Sequence, residues 1–288
     1  MSIIVAVDGG ASRCRLAAFN SQGDELCRVT VDEHASLSSG VQTAWQHIGQ
    51  GVAQIGKLLK LPDGWMPDHF SFGLAGTLKD DQRQEFLALM PKTIKRILVT
   101  DGHAQLFGAS GGHPGICLAL GTGSVIHWME TDGSTHMAGG WGFPAGDEGS
   151  GAWIGSRLVQ TYLWHCDGCL QTGTLINELT IRIGTGVSDI QQWSTQSQSG
   201  VMAQLAPLAF QHAQQGDKLA QAIVQEAVDY AHKLIALAPS HLPVYVVGGI
   251  GEQLRPHLRD GLGSRLEAAK GDALIGLWQL CKQQEKSG

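Results

Sequence analysis

Short apolar runs rich in β-branched residues alternate along the chain with longer segments whose apolar residues recur every three or four positions. The short runs are typical of strands, and the recurring pattern is typical of amphipathic helices. In the first part of the chain, strands are predicted at 3–8, 15–20, 24–30, 69–75 and 96–100. Helices are predicted at about 39–60, 80–90 and 102–110. The first three strands follow one another through short polar turns, so the chain opens with a β-meander.

A second meander is predicted further along, with strands at 115–120, 124–130 and about 135–139. Helical patterns dominate from 149 to 239, before a late strand at 243–247 and a closing helix from about 271. Each half thus opens with a strand, a glycine-rich turn and another strand, VAVDGGASRCRL in the first and LALGTGSVIHW in the second. We expect two related α/β lobes facing each other across a cleft, at 1–110 and 111–288, with the option that the last helix packs back on the first lobe.

The composition is that of a folded protein with a sizeable core, because 43% of the 288 residues are hydrophobic and 16% are charged. No run approaches the roughly 18 consecutive apolar residues of a membrane span. Met1 and Ser2 lead straight into a strand without a basic segment or a cleavage site, so a cytoplasmic protein is expected. The net charge of −6 and the scattered Lys and Arg residues argue against nucleic acid as a partner.

Glycine is unusually frequent, with 39 residues concentrated beside the predicted strand ends, about twice the typical usage of roughly 7%. When the turn between two strands consists of glycines, it presents successive backbone N–H groups that can bind an anion. Asp8 ends the first strand at such a turn, where its carboxylate would repel a phosphate unless Mg²⁺ lay between them. Taken alone, each hairpin is equally consistent with an ordinary tight turn. In the first hairpin, Asp8 would then be a capping residue.

A third glycine-rich stretch, VYVVGGIGEQL at 244–254, runs from a strand into a helix and would let a flat ring approach the backbone. None of the three turns matches the P-loop, and none matches the dinucleotide-binding pattern G-x-G-x-x-G. Since the chain lacks a basic patch, an anionic cofactor would have to be held by backbone N–H groups and a metal ion.

Six segments together carry a resemblance: VAVDGGASRCRL, ILVTDGHAQLFGA, ICLALGTGSVIHW, GGWGFPAGDEGSGAWIG, VYVVGGIGE and GDALIGLW. The chain resembles the N-acetylglucosamine kinase and glucosamine kinase group, in the BadF/BadG/BcrA/BcrD branch of the actin/hexokinase/heat-shock ATPase superfamily. The resemblance implies two ribonuclease-H-like lobes, each with a mixed five-stranded sheet, closing on ATP and a sugar. It further implies an ATP- and Mg²⁺-dependent kinase that phosphorylates an amino sugar, at the 6-hydroxyl, and that is often a homodimer.

The same resemblance implies ATP-binding residues in three turns: Gly9, Gly10 and Ser12 in the first, Gly121, Thr122 and Gly123 in the second, and Gly248, Gly249 and Gly251 in the third. It makes Asp8 the residue that positions Mg²⁺, through water. It makes Asp101 the general base that takes the proton from the attacking sugar hydroxyl. From the residues alone, an aspartate between a strand and a helix reads more readily as a helix N-cap.

Sugar-binding residues are also implied by the resemblance, among them Asp147 for the sugar hydroxyls, with Gly140 preceding it and Gly76 and Thr77 in another wall. Ser36 stands where the family commonly has an asparagine that touches the sugar. A serine reaches less far and offers fewer hydrogen bonds. The sequence therefore leaves glucosamine, N-acetylglucosamine and a muramic-type sugar as open alternatives.

Two other functions stay open on the same fold. One is the ATPase activator of a 2-hydroxyacyl-CoA dehydratase, whose iron–sulfur cluster would need cysteines, and here Cys166 and Cys169 are the close pair. The other is a non-catalytic sugar-sensing protein. A zinc site at Cys166 and Cys169 would lack a second pair of ligands and is disfavoured. The eight tryptophans are interpreted as packing residues rather than stacking platforms.

Overall fold

The computed structural model describes residues 2–10, 13–196 and 198–287, with side chains described as far as 285. The chain divides into two compact units. The first contains the residues up to Pro114 together with those from Ala269 onward, and the second is Gly115–Ala268. The division falls slightly beyond residue 110 because Gly115 begins a strand, and the last helix is grouped with the first unit.

The strands are β1 (Ile4–Gly9), β2 (Cys14–Phe19), β3 (Glu25–Val31), β4 (His69–Leu74), β5 (Lys95–Val99), β6 (Gly115–Leu120), β7 (Ser124–Met129), β8 (Thr135–Gly139), β9 (Val244–Val247) and β10 (Leu266–Glu267). Short 3-10 turns lie at Leu37–Ser39 and Gly263–Arg265.

The helices of the first unit are α1 (Val41–Leu58), α2 (Asp80–Ala88), α3 (Asp101–Ser110) and α11 (Ala273–Ser287). Those of the second unit are α4 (Gly151–Cys166), α5 (Thr174–Ile183), α6 (Val187–Ser194), α7 (Ser199–Ala203), α8 (Ala206–Gln214), α9 (Lys218–Ile235) and α10 (Gly249–Leu262). Within the described residues, none of these helices is both long enough and apolar enough to span a bilayer.

The two units contain sheets of the same design. In the first unit the order is β3-β2-β1-β4-β5, with β1, β2 and β3 antiparallel and β1, β4 and β5 parallel. In the second unit β8-β7-β6-β9-β10 repeats that order and those directions. The predicted fold class, α/β with two ribonuclease-H-like lobes and mixed five-stranded sheets, is confirmed.

Alternation along β1 explains how the first unit forms two apolar layers, because successive side chains of a strand point to opposite faces. Val5 and Val7 face the layer covered by α1 and α2, together with Phe70 and Phe72. Small residues occupy the other face, where α3 and α11 pack closely; this layer contains Ala6, Ala17, Ala104, Ala273, Leu274 and Leu277. The central strands are therefore buried on both faces, which leaves their ends as the accessible part of the sheet.

The second unit surrounds its sheet with a larger helical layer. Residues of β6 and β9 pack against α4, α5, α8, α9 and α10 in one continuous core, which includes Ile116, Leu118, Leu158, Leu179, Phe210, Val224, Val246 and Leu254. This layer corresponds mainly to the segment between 149 and 239, in which helical patterns dominate the sequence. It fixes α7, α8 and α10 around the carboxyl ends of β6 and β9.

Candidate functional site

Asp8 lies near the carboxyl end of β1, directly opposite Arg15 on β2. The Arg15 Nε atom donates to Asp8 Oδ2 at 3.0 Å, and Nη2 of the same guanidinium also binds Oδ2. Asp8 is only 7% exposed, and burial raises its pKa while the Arg15 cation acts against that rise. The carboxylate is thus buried and partly neutralised through one of its two oxygens.

Asp101 is the first residue of α3 and follows β5 closely. The N-cap of this helix is Thr100, whose Oγ1 accepts a hydrogen bond from the His103 N–H at 3.0 Å. The capping role that the sequence alone favours for Asp101 is therefore wrong. Asp101 instead accepts a hydrogen bond from the Gly102 N–H through Oδ1, at 2.9 Å.

The two carboxylates occupy the same edge of the sheet, since β1, β4 and β5 are parallel and Asp8 and Asp101 lie at their carboxyl ends. Ligands of open α/β sheets commonly bind at this edge. Burial raises the pKa of Asp101, the Gly102 N–H lowers it, and the negative charge of Asp8 raises it further. The structure thus brings together the predicted metal ligand and the predicted base.

We expect the Asp101 carboxyl of the metal-free protein to titrate above the ordinary aspartate pKa of about 4. Substituting Asp8→Asn removes a neighbouring negative charge, which makes ionisation easier, so the pKa of Asp101 should fall. Carboxyl ¹³C NMR over a pH series measures both values. Asp24→Asn is the control, because Asp24 bonds to Asn20 and leaves the surroundings of Asp101 intact. A pKa of Asp101 that is the same in both variants would contradict this coupling.

The first glycine turn is held by two loops of the same unit. The Ala35 N–H donates to the Gly10 carbonyl at 3.2 Å, and the Ala75 N–H donates to the Gly9 carbonyl at 2.9 Å. A Cβ atom on Gly9 would lie 2.6 Å from Leu74 Cδ2 and 2.7 Å from Ala35 Cβ, whereas one on Gly10 would meet only the Arg13 carbonyl oxygen, at 3.9 Å. Gly9 is therefore required by packing. Ser12, the third predicted residue of this turn, lies outside the described residues.

The predicted sugar-site residues of the first unit lie in these two loops. Ser36 is 2% exposed, with its Oγ 2.7 Å from Ser38 Oγ. Thr77 is buried and donates to the Leu74 carbonyl at 3.1 Å. Gly76 has φ +81°, and a Cβ there would lie 2.5 Å from the Ser38 nitrogen. The loops are therefore tightly bonded to each other, and the Ser36 and Thr77 hydroxyls already have partners inside the protein.

The second glycine turn is docked on the start of α4. Gly121 donates to the Gly123 carbonyl at 2.9 Å, which closes the turn, and the Gly151 and Ala152 N–H groups donate to the carbonyls of Gly121 and Thr122. The N–H groups that begin α4 thus hold the turn in position.

The third glycine turn adjoins the second, because β9 pairs with β6. Gly248 precedes α10 with φ +91°, and a Cβ atom there would lie 2.3 Å from the Leu120 carbonyl oxygen. Only glycine fits such a backbone at such a distance. A Cβ on Gly251 would lie 3.0 Å from Val246 Cγ1, whereas Gly249 has open space.

A cavity of about 640 Å³ opens beside these two turns, a size suited to a small-molecule ligand. Its lining residues are Gly121, Thr122, Gly151, Ala203, Pro207, Phe210, Gln211, Gln214, Gly249, Ile250 and Gln253. The predicted turn residues Gly121, Thr122 and Gly249 are brought together here. The wall from α7, α8 and α10 was missed by the sequence reasoning. A usable signal is the uncharged FQHAQQ stretch at 210–215, which places amides beside an aromatic ring.

Asp147 lies in the loop between β8 and α4, with φ +63°. Its Oδ1 accepts from the Gly142 N–H at 3.3 Å, and its Oδ2 lies 2.6 Å from the Cβ position of Gly123. Ser150 caps α4, accepting from the Trp153 N–H, so Asp147 is not the capping residue of this helix. Asp147 instead lies against the second glycine turn.

Several residues of the loop around Asp147 have positive φ angles. Gly140 has φ +70° and donates to the Ser124 carbonyl at 2.9 Å. Trp141 is 87% exposed, so it is not a core packing residue. Cys166 and Cys169 are free and exposed. Across residues 2–10, 13–196 and 198–287, the group of three side chains able to hold a metal lies elsewhere, at His69, Cys281 and Glu285.

A duplicated ribonuclease-H-like sheet with a cavity beside two glycine turns defines an α/β protein of the actin-like ATPase class. Residues 5–265 match the BadF/BadG/BcrA/BcrD ATPase family. The chain belongs to that family, and the resemblance seen in its motifs is confirmed.

Named relatives and a solved structure are similar over most of the chain. The glucosamine kinase GspK of Vibrio cholerae is 28% identical over 279 residues, covering 96% of this chain and 94% of the relative. The N-acetyl-D-glucosamine kinase of Dictyostelium discoideum is 28% identical over 253 residues, covering 81% of this chain and 78% of the relative. A crystal structure from Chromobacterium violaceum, provisionally named an N-acetylglucosamine kinase, has TM-score 0.89 and 33% identity, covering 97% of this chain and 99% of that one.

Proposed function

We propose that this protein is an ATP-dependent amino-sugar kinase that phosphorylates glucosamine or N-acetylglucosamine at the 6-hydroxyl. The observation that carries the proposal is the pair of electrostatically coupled carboxylates, buried Asp8 and half-buried Asp101, at one edge of the first sheet. Phosphoryl transfer needs a positioned group for the nucleophile and neutralisation of phosphate charge. The names of the two relatives supply the class of acceptor.

The nucleotide would occupy the cavity of the second unit. The apolar surfaces of Pro207, Phe210 and Ile250 suit the faces of an adenine ring, and the lining glutamine amides can donate to and accept from its edge. The glycine turns at Gly121 and Gly249 allow the backbone to approach the ribose and phosphates closely. Membership of an ATPase family supports ATP as the nucleotide.

Asp101 would act as the general base. Because Thr100 caps α3, the Asp101 side chain is not used as the cap, and its carboxylate, held by the Gly102 N–H at Oδ1, can accept the proton of the sugar hydroxyl. Its raised pKa makes it a better proton acceptor than an exposed aspartate. The α3 N-terminus also holds the carboxylate at a partial positive charge, which fixes its orientation.

Asp8 fits the role of Mg²⁺ ligand, directly or through water, because carboxylate oxygen is the donor that this cation prefers. Both bonds from Arg15 go to Oδ2, which leaves Oδ1 as the candidate ligand atom. A bound Mg²⁺ would supply neutralisation of the phosphate charge. The Arg15 guanidinium partly offsets the rise in the pKa of Asp8 that burial causes.

The acceptor would contact the loops at Ser36 and at Gly76 and Thr77, with Asp147 and Gly140 as further sugar-binding residues. Since the Ser36 and Thr77 hydroxyls are bonded within the protein, backbone groups of these loops would do most of the recognition. This leaves the 2-substituent of the sugar as the feature to be settled by experiment.

A coupled ADP-release assay with Mg-ATP tests the proposed function. Glucosamine or N-acetylglucosamine should stimulate ADP release to about 1–100 s⁻¹, the usual range for kinases. The 6-deoxy analogue of the preferred sugar is the matched control, because it can bind but offers no hydroxyl at the proposed position. A preference for plain glucose, or ADP release that no sugar stimulates, would overturn the substrate class, and turnover of the 6-deoxy analogue would overturn the 6-hydroxyl.

A further inference from the structure

Three metal-ligating side chains meet at the opposite end of the first sheet from Asp8. His69 begins β4, and Cys281 and Glu285 lie one helical turn apart on α11. Their ligand atoms all lie within 4.8 Å of one another. In the strand register His69 pairs with Ile4, whereas Asp8 pairs with Gly73, so this cluster is separated from the Asp8 row by about 13 Å of strand.

The distances within the cluster are close to those between ligands of one metal ion, and a small side-chain movement would bring all three atoms onto it. Bond lengths of about 2.3 Å to sulfur and about 2.0–2.2 Å to nitrogen or oxygen place two ligands of a tetrahedral zinc roughly 3.3–3.6 Å apart. Cys281 Sγ lies 3.2 Å from His69 Nδ1, and Glu285 Oε1 lies 4.0 Å from the same nitrogen. The other Glu285 oxygen accepts from Lys282 Nζ at 2.6 Å, which turns Oε1 toward the histidine.

Without a metal, His69 and Cys281 are uncharged, and two lysine ammonium groups lie near them. Burial lowers the pKa of His69, so its imidazole is neutral and keeps a lone pair. Burial raises the pKa of Cys281 to about 12, so without a metal it is a thiol. The ammonium groups of Lys95 and Lys282 face the cluster. A divalent ion bound by one thiolate and one carboxylate is neutral overall, which limits its repulsion by these two cations.

We propose that His69, Cys281 and Glu285 form a structural site for Zn²⁺ or a similar borderline-soft divalent ion, which fastens α11 to β4. Sulfur, imidazole nitrogen and carboxylate oxygen are the ligands that zinc takes in proteins. Glu285 is 35% exposed, so water can enter as the fourth ligand. On binding, the Cys281 S–H proton leaves to solvent and the sulfur–metal bond replaces it. The site needs neither ATP nor sugar and is independent of the proposed kinase activity.

Cobalt titration of the full-length, metal-free protein tests this site directly. Co²⁺ in place of Zn²⁺ should give a thiolate-to-metal charge-transfer band in the near ultraviolet at one ion per chain, and Zn²⁺ should displace it. Cys281→Ser should abolish the band. The double variant Cys166→Ser/Cys169→Ser is the matched control and should retain it, because those exposed thiols lie outside the cluster. A band that is absent, that survives Cys281→Ser, or that disappears in the control overturns the proposal.

Glu285→Gln provides a variant that will fold, since its side chain is on the surface of α11. It should weaken Co²⁺ binding at least tenfold, while its melting temperature without metal stays within about 2 °C of the parent. Zn²⁺ at about 100 times its dissociation constant should raise the melting temperature of the parent by roughly 5–10 °C. An unchanged melting temperature with Zn²⁺, or equal Co²⁺ affinity in the parent and Glu285→Gln, also overturns the proposal.

Discussion

Substituting Asp101→Asn should lower kcat for sugar-dependent ADP release by about 10²–10⁴-fold, the range that general-base catalysis contributes. The asparagine amide oxygen can still accept the Gly102 N–H that Asp101 Oδ1 accepts, and Thr100 still caps α3. The local fold should therefore persist, and the dissociation constants for ATP and sugar should change only a few-fold. Steady-state kinetics and equilibrium binding measure the two effects separately.

The control for this substitution is Asp132→Asn, the same chemical change in an exposed turn whose side chain accepts from Ser134. It should leave kcat unchanged. If Asp101→Asn retained more than a tenth of the parent kcat, Asp101 would not be the base. A drop in kcat accompanied by unfolding would be seen in the circular dichroism of the variant and would assign a structural role instead.

Substituting Gly248→Ala should destabilise the second unit by about 3 kcal/mol or more and weaken nucleotide binding at the same time. The added Cβ atom would lie 2.3 Å from the Leu120 carbonyl oxygen, at a residue with φ +91°. Strained backbone of this kind costs about 1–3 kcal/mol before the clash is counted. Thermal unfolding should show a melting temperature lower by roughly 6–12 °C.

Gly249→Ala is the matched control, one residue further along the same turn. A Cβ atom there meets nothing within 4 Å, and Gly249 is the first residue of α10. Its melting temperature should equal or exceed that of the parent, because alanine is the better helix former. Equal melting temperatures for Gly248→Ala and the parent would show that the turn can shift, and would remove the steric basis for the third glycine turn.

Much of the fold could be predicted because its strands are short apolar runs with clear turns between them. The seven strands from β1 to β7 lie where the pattern places them within a residue or two, and the repeated opening hairpin indicates the duplicated sheet. The two-residue strand β10 was missed, since Leu266 and Glu267 are too few to give a periodic signal. Helix ends were less accurate, and α3 begins at Asp101 rather than 102.

The site was only partly predictable, for physical reasons that particular residues illustrate. Glycine turns are visible in a sequence because they need a special backbone, as at Gly248. The helical wall of the cavity is not visible in the sequence. A lining residue such as Phe210 also belongs to the core, so its apolar character indicates only burial. Whether Asp101 or Thr100 caps α3 depends on which of two adjacent residues begins the helix, and the apolar pattern does not fix a helix end that closely. His69 and Cys281 are 212 positions apart, and only the packing of α11 brings them together.

That packing has a consequence for how the protein is made. The first unit is a discontinuous domain, since its small-residue face is covered by α11, encoded after the whole of Gly115–Ala268. At ordinary rates of synthesis, the ribosome needs on the order of ten seconds to add that intervening segment. The unit that leaves the ribosome first is therefore completed last. Termination directly after Ala268 would release a chain whose second unit is whole and whose first unit lacks the helix that covers one side of its core.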